Sequence, residues 1–371
     1  MARIVPWIDP YSRERLEEKD GFLVGKNSKY EINDGIPNFV LDIEPTSENG
    51  PNTVPSPYYS GGNIQPKFTN ELTGKVTKIH DTKISDQHQV KESFGYKWTR
   101  TNFGQTEDDF NKKARKMGLE FMGLSENDLK IFDDKIILDT GVGSGSTARL
   151  WAPRAKEFHG IDISKAVYRV KNALNQMVSK PILAQADLNF LPYDDNVFDV
   201  IVSAGVFHHT PSTKLAIKNV IRTLKREGLL IFYIYKKKAP IREFSDDFIR
   251  SFVSNMPFEK AWEEMKSFTD FGKSLKDQAV KIKVPSDIPI LKIKSGEYDL
   301  QDFIYNHFFK CFWNKDFGYD DSVMTNFDWY HPKFSWRQTK EEIQEWCDEI
   351  KLKIKYLKEG YSSYACMVSK V

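Results

Sequence analysis

The sequence predicts an α/β protein built on a doubly wound, mostly parallel sheet of seven strands, with a small β-rich unit before it and a large insertion after the fifth strand. Three observations indicate this fold. Apolar runs of strand length alternate with helical patterns from residue 135 onward, a glycine-rich turn follows the first apolar run, and one helical and two strand patterns close the chain. Strands that alternate with helices form parallel sheets, because each helix returns the chain across one face of the sheet.

The core strands are predicted from short apolar runs, and the helices between them from an apolar face. Ala216, Val220 and Leu224, for example, fall at the helical spacing i, i+4, i+8. The strands are predicted at 135–140, 158–164, 181–187, 198–205 and 228–235, and the helices at 145–155, 165–177 and 213–226. A final helix at 339–350, capped by Thr339 with Glu342, and two strands around Gly360 complete the sheet.

Composition sets the broad class. A chain of 371 residues with 40% hydrophobic residues suits one large domain with additions, or two domains. The net charge of +2 provides no general field that would attract nucleic acid or a membrane surface. We therefore expect a soluble cytoplasmic protein, since the sequence shows neither an apolar signal segment nor a run of membrane-spanning length.

The cysteines predict neither disulfides nor a metal site. Cys311, Cys347 and Cys366 are odd in number and scattered, and no pair has the spacing of a zinc ligand set. Reduced thiols in the cytosol are the simplest interpretation. Cys311 lies among aromatic residues and is expected to be buried rather than reactive.

The chain is predicted to divide into four segments. A β-rich unit and a linker rich in Pro, Gly, Ser and Asn come first, followed by a helical lead-in with the sheet core, a mixed aromatic and charged insertion that covers the substrate, and the closing helix and hairpin. The boundaries are 1–66, 67–235, 236–337 and 338–371.

The glycine-rich turn predicts a ligand site. Ligands of open parallel sheets bind beyond the carboxyl ends of the strands, and Gly141, Gly143 and Gly145 lie there without a Cβ to block a close approach. The N–H groups of the helix predicted next would point at the ligand. Asp162 ends the second strand, where it can accept ribose hydroxyls, and Asp187 ends the third, where it can accept from an adenine amino group. An adenosine-containing ligand fits this pattern, and a turn without a ligand is the alternative.

Residues 135–235 resemble a class I S-adenosylmethionine-dependent methyltransferase with a Rossmann-like core. The resemblance rests on the glycine turn, on Asp162, on the run from Asp187 through Pro192 to Asp199, and on the segment 224–232. Arg226 and Glu227 replace the usual Pro and Gly of that last segment. The cofactor implied is S-adenosyl-L-methionine, with S-adenosyl-L-homocysteine as product. The resemblance implies cofactor-binding roles for Asp139, Gly141, Gly143, Gly145, Asp162, Ile163, Asp187, Leu188, Ala204 and Trp98.

Two outer segments refine the resemblance. Residues 29–40 are similar to the end of a zinc-ribbon-like unit found ahead of some bacterial methyltransferases, but no cysteine precedes Cys311, so we expect the shape without the metal. Residues 94–100 and 328–339 resemble segments of small-molecule methyltransferases encoded near carbohydrate or secondary-metabolite genes.

Four residues are candidates for catalysis if the acceptor must lose a proton. His208 and His209 follow the fourth strand at the mouth of the site, where one of them is equally suited to cap the loop or pack on the cofactor. Tyr330 and His331, in a cluster with Asp328 and Trp329, can orient or deprotonate an acceptor or simply pack in a lid.

Other side chains near the predicted site have two interpretations each. Trp98 and Tyr96 are expected to cover the cofactor, with core packing as the alternative. Residues 236–238 and Arg242 follow the fifth strand on the ligand side, where they attract a phosphate or carboxylate of the substrate or form a solvated loop.

The leading hypothesis is methyl transfer to an O or N atom of a small molecule, inside a pocket roofed by the insertion. An RNA methyltransferase is the first alternative; the N-terminal unit favours it by analogy, and the near-neutral charge weighs against it. A non-catalytic binding protein on the same fold is the second. A small-molecule acceptor and a second copy of the chain are the expected partners, without a membrane or nucleic acid.

Overall fold

A computed structural model describes residues 4–40, 84–100, 114–175 and 180–371, together with the backbone of two short strands at 67–69 and 76–78. The predicted linker at 46–66 lies outside the described residues. Among the described residues, no helix is both long and apolar enough to cross a bilayer.

The strands form one large sheet and three small ones. In chain order they are β1 (Glu17–Lys19), β2 (Phe22–Val24), β3 (Lys29–Asn33), β4 (Ile36–Pro37), β5 (Lys67–Thr69), β6 (Val76–Lys78), β7 (Ile136–Thr140), β8 (Glu157–Asp162), β9 (Ile182–Gln185), β10 (Phe198–Ala204), β11 (Leu224–Tyr235), β12 (Lys281–Val284), β13 (Gly296–Asp299), β14 (Leu352–Glu359) and β15 (Ser363–Lys370). The large sheet has the order β14-β15-β11-β10-β7-β8-β9. β15 runs opposite to the other six strands of this sheet, which are parallel to one another. This confirms the predicted mostly parallel sheet of seven strands.

Most of the helices either pack against the faces of this sheet or belong to the insertion. They are α1 (Ile84–Arg100), α2 (Arg115–Met122), α3 (Ala166–Asn175), α4 (Thr213–Thr223), α5 (Pro240–Val253), α6 (Phe258–Asp277), α7 (Leu300–His307), α8 (Tyr319–Tyr330) and α9 (Lys340–Ile350). One core layer joins α4 and α9 to the sheet, and the other joins α2 and α3 to it. The β7 strand is buried along its whole length, as expected of a central parallel strand with both faces covered.

The N-terminal residues form a small antiparallel sheet, β1 to β4, that continues the large one. Asn38 bridges Gln185 in parallel, and the Phe39 N–H donates to the Gln185 carbonyl at 2.8 Å. The Trp7 ring packs against Tyr193, with centroids 5.3 Å apart. This unit therefore covers the outer edge strand β9. The resemblance to a zinc-ribbon-like unit stays a prediction.

One predicted helix is absent, and the predicted end of another is wrong. The helix expected at 145–155 is replaced by two 3₁₀ turns, Ala148–Leu150 and Ala152–Arg154. Pro153 accounts for this break, because it has no N–H and restricts the residue before it. The helix expected to reach residue 226 ends at Thr223, and Leu224 already belongs to β11, whose positive φ at Glu227 marks an irregularity early in the strand.

The capped C-terminal helix and hairpin are confirmed. The Thr339 hydroxyl accepts from the Glu342 N–H at 3.2 Å, and the Glu342 carboxylate accepts from the Thr339 N–H at 2.7 Å. All three cysteines are buried, as expected for Cys311. Burial raises the pKa of the Cys311 thiol to about 12, so it stays protonated.

The insertion contains four of the helices, α5 to α8, and the hairpin β12–β13. Its apolar core brings together Trp262 and Met265 from α6 with Phe327 and Trp329 from α8. The end of β11, at Tyr235, belongs to the same cluster. The insertion is thereby held against the carboxyl end of the sheet.

Gly145 is expected to be intolerant of even a methyl group. Its φ is +77°, and an added Cβ would lie 2.3 Å from Val170 Cγ2. Gly318 is a matched control, because its φ is +86° with open space around it. We expect Gly318→Ala to cost roughly 1 kcal/mol of unfolding free energy from the backbone alone, and Gly145→Ala about 1–3 kcal/mol more from overpacking. Urea unfolding of both variants tests this, and equal losses would contradict it.

Candidate active site

Two adjoining cavities lie at the carboxyl ends of β7 to β10. The smaller has a volume of about 140 Å³ and the larger about 1090 Å³. Six residues line both: Lys97, Trp98, Gly141, Ala204, Tyr233 and Asp328. We call this shared wall the junction. A group bound in one cavity can therefore reach a group bound in the other without crossing the protein.

Asp162 lies in the wall of the smaller cavity, at the end of β8. Its Oδ2 accepts from the Gly143 N–H at 2.9 Å, and its Oδ1 accepts from the Ser164 N–H at 2.8 Å and the Ser164 hydroxyl at 2.7 Å. Burial raises the pKa of Asp162, and the bonds from Ser164 and Gly143 oppose that rise. The same carboxylate thus orders the glycine loop and faces the cavity.

Asp187 faces the same cavity from the segment after β9. Its Oδ1 accepts from the Asn189 N–H at 2.8 Å and the Asn189 side-chain amide at 2.9 Å. Its Oδ2 accepts from the Gln87 amide, which comes from α1. Ile163 and Leu188 add apolar walls beside it. Two carboxylates between apolar walls suit a ligand with a flat apolar body and several donors.

The glycines of the loop have separate roles. Gly141 and Gly143 line the larger cavity with positive φ values of +71° and +53°. A Cβ on Gly143 would lie 2.8 Å from the Trp98 ring, and one on Gly141 would lie 2.4 Å from Val206. Gly145 lines neither cavity and packs against Val170, so the structure gives it a structural role, and its contact with a cofactor stays a prediction.

Asp139 also supports the loop from behind rather than facing a cavity. Its Oδ2 accepts from the Trp151 indole at 2.9 Å, and its Oδ1 has no hydrogen-bond partner among the described residues. Burial raises the pKa of Asp139 to about 7. Asp139 lines neither cavity, and its expected cofactor contact stays a prediction.

A buried ion pair lies at the junction. Lys97 Nζ is 2.8 Å from Asp328 Oδ1, and the Tyr235 hydroxyl donates to Asp328 Oδ2 at 2.8 Å. Burial alone would raise the pKa of Asp328, but the Lys97 ammonium and the bonds from Lys97 and Tyr235 hold it well below its usual range. The carboxylate is therefore ionised at neutral pH. Lys97 Nζ also lies 4.2 Å from the Trp98 ring centroid, which helps to fix that ring over the loop.

The two aromatic residues of α1 differ in position. Trp98 lies in the junction, at Gly143, in the place expected of a cofactor cover. Tyr96 lines neither cavity and stacks on Phe258 at 5.4 Å between centroids, within the insertion core. Core packing, the alternative named for Tyr96, is what the structure shows.

Among the four catalytic candidates, only His209 lines a cavity. Its Nδ1 is 2.7 Å from the Phe334 carbonyl, so that nitrogen carries the proton and Nε2 has a lone pair without a partner among the described residues. Burial lowers the pKa of His209 to about 4. The ring is therefore neutral at pH 7 and can accept a hydrogen bond there.

The other three candidates lie outside the lining of both cavities, so their contact with an acceptor stays a prediction. His208 is fully buried, and its ring lies 3.7 Å from the Tyr235 ring. The Tyr330 hydroxyl donates to Asp246 at 2.6 Å, inside the insertion. His331 Nδ1 is 2.8 Å from the Ser93 hydroxyl. None of these side chains reaches either cavity, so they support the walls by packing and hydrogen bonding.

Burial of neutral histidines predicts a pH dependence of stability. The pKa values of His209 and His331 are lowered by burial to about 4 from 6.5. The unfolded chain then binds more protons below pH 6.5, so the free energy of unfolding falls as pH falls from 6.5 toward 4. Urea unfolding at pH 7.5, 6.5 and 5.5 tests this, because most carboxylates titrate lower. The difference between the natural chain and His209→Gln isolates the share of that histidine, which we expect to be small between pH 7.5 and 6.5 and larger between pH 6.5 and 5.5.

The basic run after β11 divides into two parts. Lys236 pairs with Glu359 at 2.8 Å and Lys237 with Glu342 at 3.4 Å, and of these two only Lys237 is exposed. Lys238 Nζ donates to the Asn306 side-chain oxygen at 2.9 Å, and Arg242 is fully buried. The solvated-loop interpretation therefore holds for Lys237 and fails for Arg242.

Comparison with known proteins decides what this arrangement is. Residues 138–232 match the family model described as a methyltransferase domain. Residues 138–232 form a methyltransferase domain. The match covers β7 to β11, including the glycine loop, Asp162 and Asp187, and confirms the resemblance stated from the sequence.

Individual relatives of the methyltransferase domain are distant. An uncharacterised methyltransferase of Bacillus subtilis is 30% identical over 115 residues, which are 30% of this chain and 45% of that protein. The ubiquinone/menaquinone biosynthesis C-methyltransferase of Saccharophagus degradans is 25% identical over 185 residues, 40% of this chain and 71% of that protein. The magnesium protoporphyrin IX methyltransferase of Synechocystis aligns with a TM-score of 0.43 and 13% identity, over 77% of this chain and 100% of that one. The chain spans about half the length of the first curated relatives it matches.

The cavity residues fit the cofactor of such a domain. Asp162 and Asp187 supply acceptors in a cavity with apolar walls, and Gly141 and Gly143 bring the loop backbone to the wall of the larger cavity. The sequence analysis did not identify two site residues of α1. Gln87 donates to Asp187, and Lys97 donates to Asp328. Of these two, only Lys97 lies in the segment 94–100 that resembles other methyltransferases.

Proposed function

We propose that the protein transfers a methyl group from S-adenosylmethionine to an O or N atom of a small-molecule acceptor of carbohydrate or secondary-metabolite type. The observation that carries this proposal is the junction. The smaller cavity, with its two carboxylates, opens into a much larger one at Ala204, Tyr233 and Asp328. A donor held in the first can face an acceptor held in the second.

Each group of residues around the proposed cofactor site has a defined role in binding. S-adenosylmethionine supplies a methyl group already activated on a positively charged sulfur. Asp162 accepts from a ribose hydroxyl and Asp187 from the adenine amino group, while Ile163 and Leu188 pack on the base. Gly141 and Gly143 let the loop backbone approach the methionine part. The Tyr233 ring at the junction favours positive charge nearby.

The insertion supplies the acceptor side. Its aromatic residues in the larger cavity include Tyr305, Phe312, Trp313 and Trp329. Flat apolar walls bind ring systems and keep water out. Holding an acceptor in line with the donor contributes about 7–11 kcal/mol in favourable cases. Alignment therefore accounts for much of the catalysis that this site has to provide.

Asp328 is the group best placed to orient the acceptor. Each of its oxygens accepts one hydrogen bond, from Lys97 or Tyr235, and retains a further lone pair. It can therefore accept from an acceptor O–H or N–H at the junction. His209, with a pKa near 4, is a poor proton acceptor and suits a hydrogen bond to a bound ligand.

Label transfer tests the acceptor class. The protein is incubated with methyl-labelled S-adenosylmethionine and, separately, a small-molecule extract and total RNA of the source organism. We expect label in the small-molecule fraction, and Asp328→Asn reduces the rate strongly. The exposed Asp20→Asn leaves the rate unchanged. Label in RNA alone favours the nucleic-acid alternative, and cofactor binding without any transfer favours a binding protein. The homodimer expected from the sequence stays a prediction.

A further inference from the structure

Three cations surround two aromatic rings in one wall of the larger cavity. Lys310 Nζ lies 4.6 Å from the Trp329 ring centroid. The Arg242 guanidinium lies 5.3 Å from the same ring and 4.7 Å from the Tyr305 ring. Lys238 Nζ lies 5.4 Å from the Tyr305 ring. Lys310, Tyr305 and Trp329 all line the cavity, so this basic wall faces the acceptor space.

The nearest carboxylates are paired with other donors. Asp246 accepts from Arg242 Nε, the Trp329 indole, the Tyr330 hydroxyl and the Lys310 backbone N–H. Asp328 accepts from Lys97 and Tyr235, which leaves neither carboxylate paired with the Lys310 ammonium.

Some hydrogen-bond donors in this wall therefore have no acceptor among the described residues. Within the described residues, Lys310 Nζ makes no hydrogen bond or ion pair, although Lys310 is only 3% exposed. Arg242 Nη1 and Nη2 likewise have no hydrogen-bond partner in that part of the chain, and Arg242 is fully buried. Unpaired buried cations are costly, and chains retain them where something else completes the pairing.

The ionisation of these groups agrees with a shortage of negative charge. Burial, assisted by Arg242 and Lys97, lowers the pKa of Lys310 to about 7, and the nearby Asp328 and Asp246 oppose that shift only in part. Burial and the neighbouring Arg242 and Lys236 lower the pKa of Lys238 to about 6. An anion arriving beside Lys310 would restore its full charge and strengthen the contact.

We propose that this wall is an anion subsite, and that the methyl acceptor carries a carboxylate or phosphate on a flat, aromatic body. Lys310 binds the anionic group directly, and Arg242 adds attraction from behind Tyr305 and Trp329. The assignment to the acceptor rests on the proposed function, whereas the subsite itself does not require the cofactor. It also assigns a role to Arg242, the buried member of the basic run after β11, whereas Lys236 and Lys237 are paired with glutamates.

The test uses the protein without cofactor and four aromatic probes. These are 1-naphthyl phosphate and 1-naphthoate, with 1-naphthol and 1-naphthamide as uncharged counterparts, each titrated by calorimetry. We expect at least one anion to bind about tenfold or more tightly than its counterpart, as a charged hydrogen bond implies. Comparison of the two anions distinguishes a phosphate subsite from a carboxylate subsite.

Variants localise the effect. Lys310→Met removes the preference for the anion, whereas Lys315→Met, at an exposed lysine of the same cavity, preserves it. Lys310→Met is also expected to fold at least as stably as the natural chain, because an unpaired buried charge is replaced by an apolar side chain. Lys310→Gln and the thermal unfolding of each variant check this point.

Three outcomes would overturn the proposal: equal affinity for charged and uncharged probes, equal losses in the two methionine variants, or no anion binding at millimolar concentration. A parallel titration with S-adenosylhomocysteine keeps the two proposals apart. Anion binding without cofactor binding overturns the proposed function and leaves the subsite. Cofactor binding without anion binding overturns the subsite alone.

Discussion

Asp162→Ala is expected to weaken S-adenosylmethionine binding by about 100-fold or more. Beside its bonds from Gly143 and Ser164, the carboxylate retains one acceptor position for a ribose hydroxyl, and a hydrogen bond to a charged group contributes about 1.5–3 kcal/mol. It also holds the Gly143 N–H at 2.9 Å, so its loss loosens the loop that faces the methionine part. Isothermal titration with S-adenosylmethionine and S-adenosylhomocysteine measures the effect.

A matched variant separates binding from folding. Asp20→Asn changes an exposed turn residue in the N-terminal unit with a positive φ of +51°, which asparagine tolerates. It is expected to bind both ligands as the natural chain does. Near-natural affinity of Asp162→Ala, with the variant folded by circular dichroism, would contradict the role assigned to this carboxylate.

Asp328→Ala is expected to have the second large effect, on stability and turnover together. It leaves the Lys97 ammonium unpaired, although the Lys97 side chain is only 8% exposed. Breaking a buried pair on one side costs about 3–5 kcal/mol, and we expect roughly 2–4 kcal/mol here because the Asp328 side chain is 18% exposed. Urea unfolding measures the loss of free energy.

The double variant Lys97→Met with Asp328→Leu distinguishes stability from function. Removing both charges leaves no unpaired ion, so its stability is expected to return close to that of the natural chain. Methyl transfer is expected to remain absent, since the group that orients the acceptor is gone. A double variant that is stable and active would show that the pair has only a structural role.

The sheet could be predicted from the sequence because its signals are local. Five apolar runs, each followed by a turn or a helix, gave the parallel strands, and Thr339 with Glu342 gave the start of the last helix. The helix expected at 145–155 failed because Pro153 outweighed the apolar periodicity. Propensity over a short window does not weigh one proline heavily enough.

Only the site residues at the ends of the sheet strands could be predicted from the sequence. Asp162 ends β8 and Asp187 lies just after β9, at the edge of the sheet where ligands bind. Gln87, Lys97 and Lys310 were missed because their roles depend on how α1 and the insertion pack over that edge. The surroundings of Tyr330 and His331 depend on the same packing, since Tyr330 at the end of α8 binds Asp246 and the next residue, His331, contacts Ser93.

A crystal structure with S-adenosylhomocysteine tests the central claim most directly. The account predicts adenine between Ile163 and Leu188 near Asp187, the ribose on Asp162, and the sulfur at the junction, open toward the larger cavity. A nucleoside bound elsewhere, or a sulfur turned away from the larger cavity, would contradict methyl transfer between the two cavities.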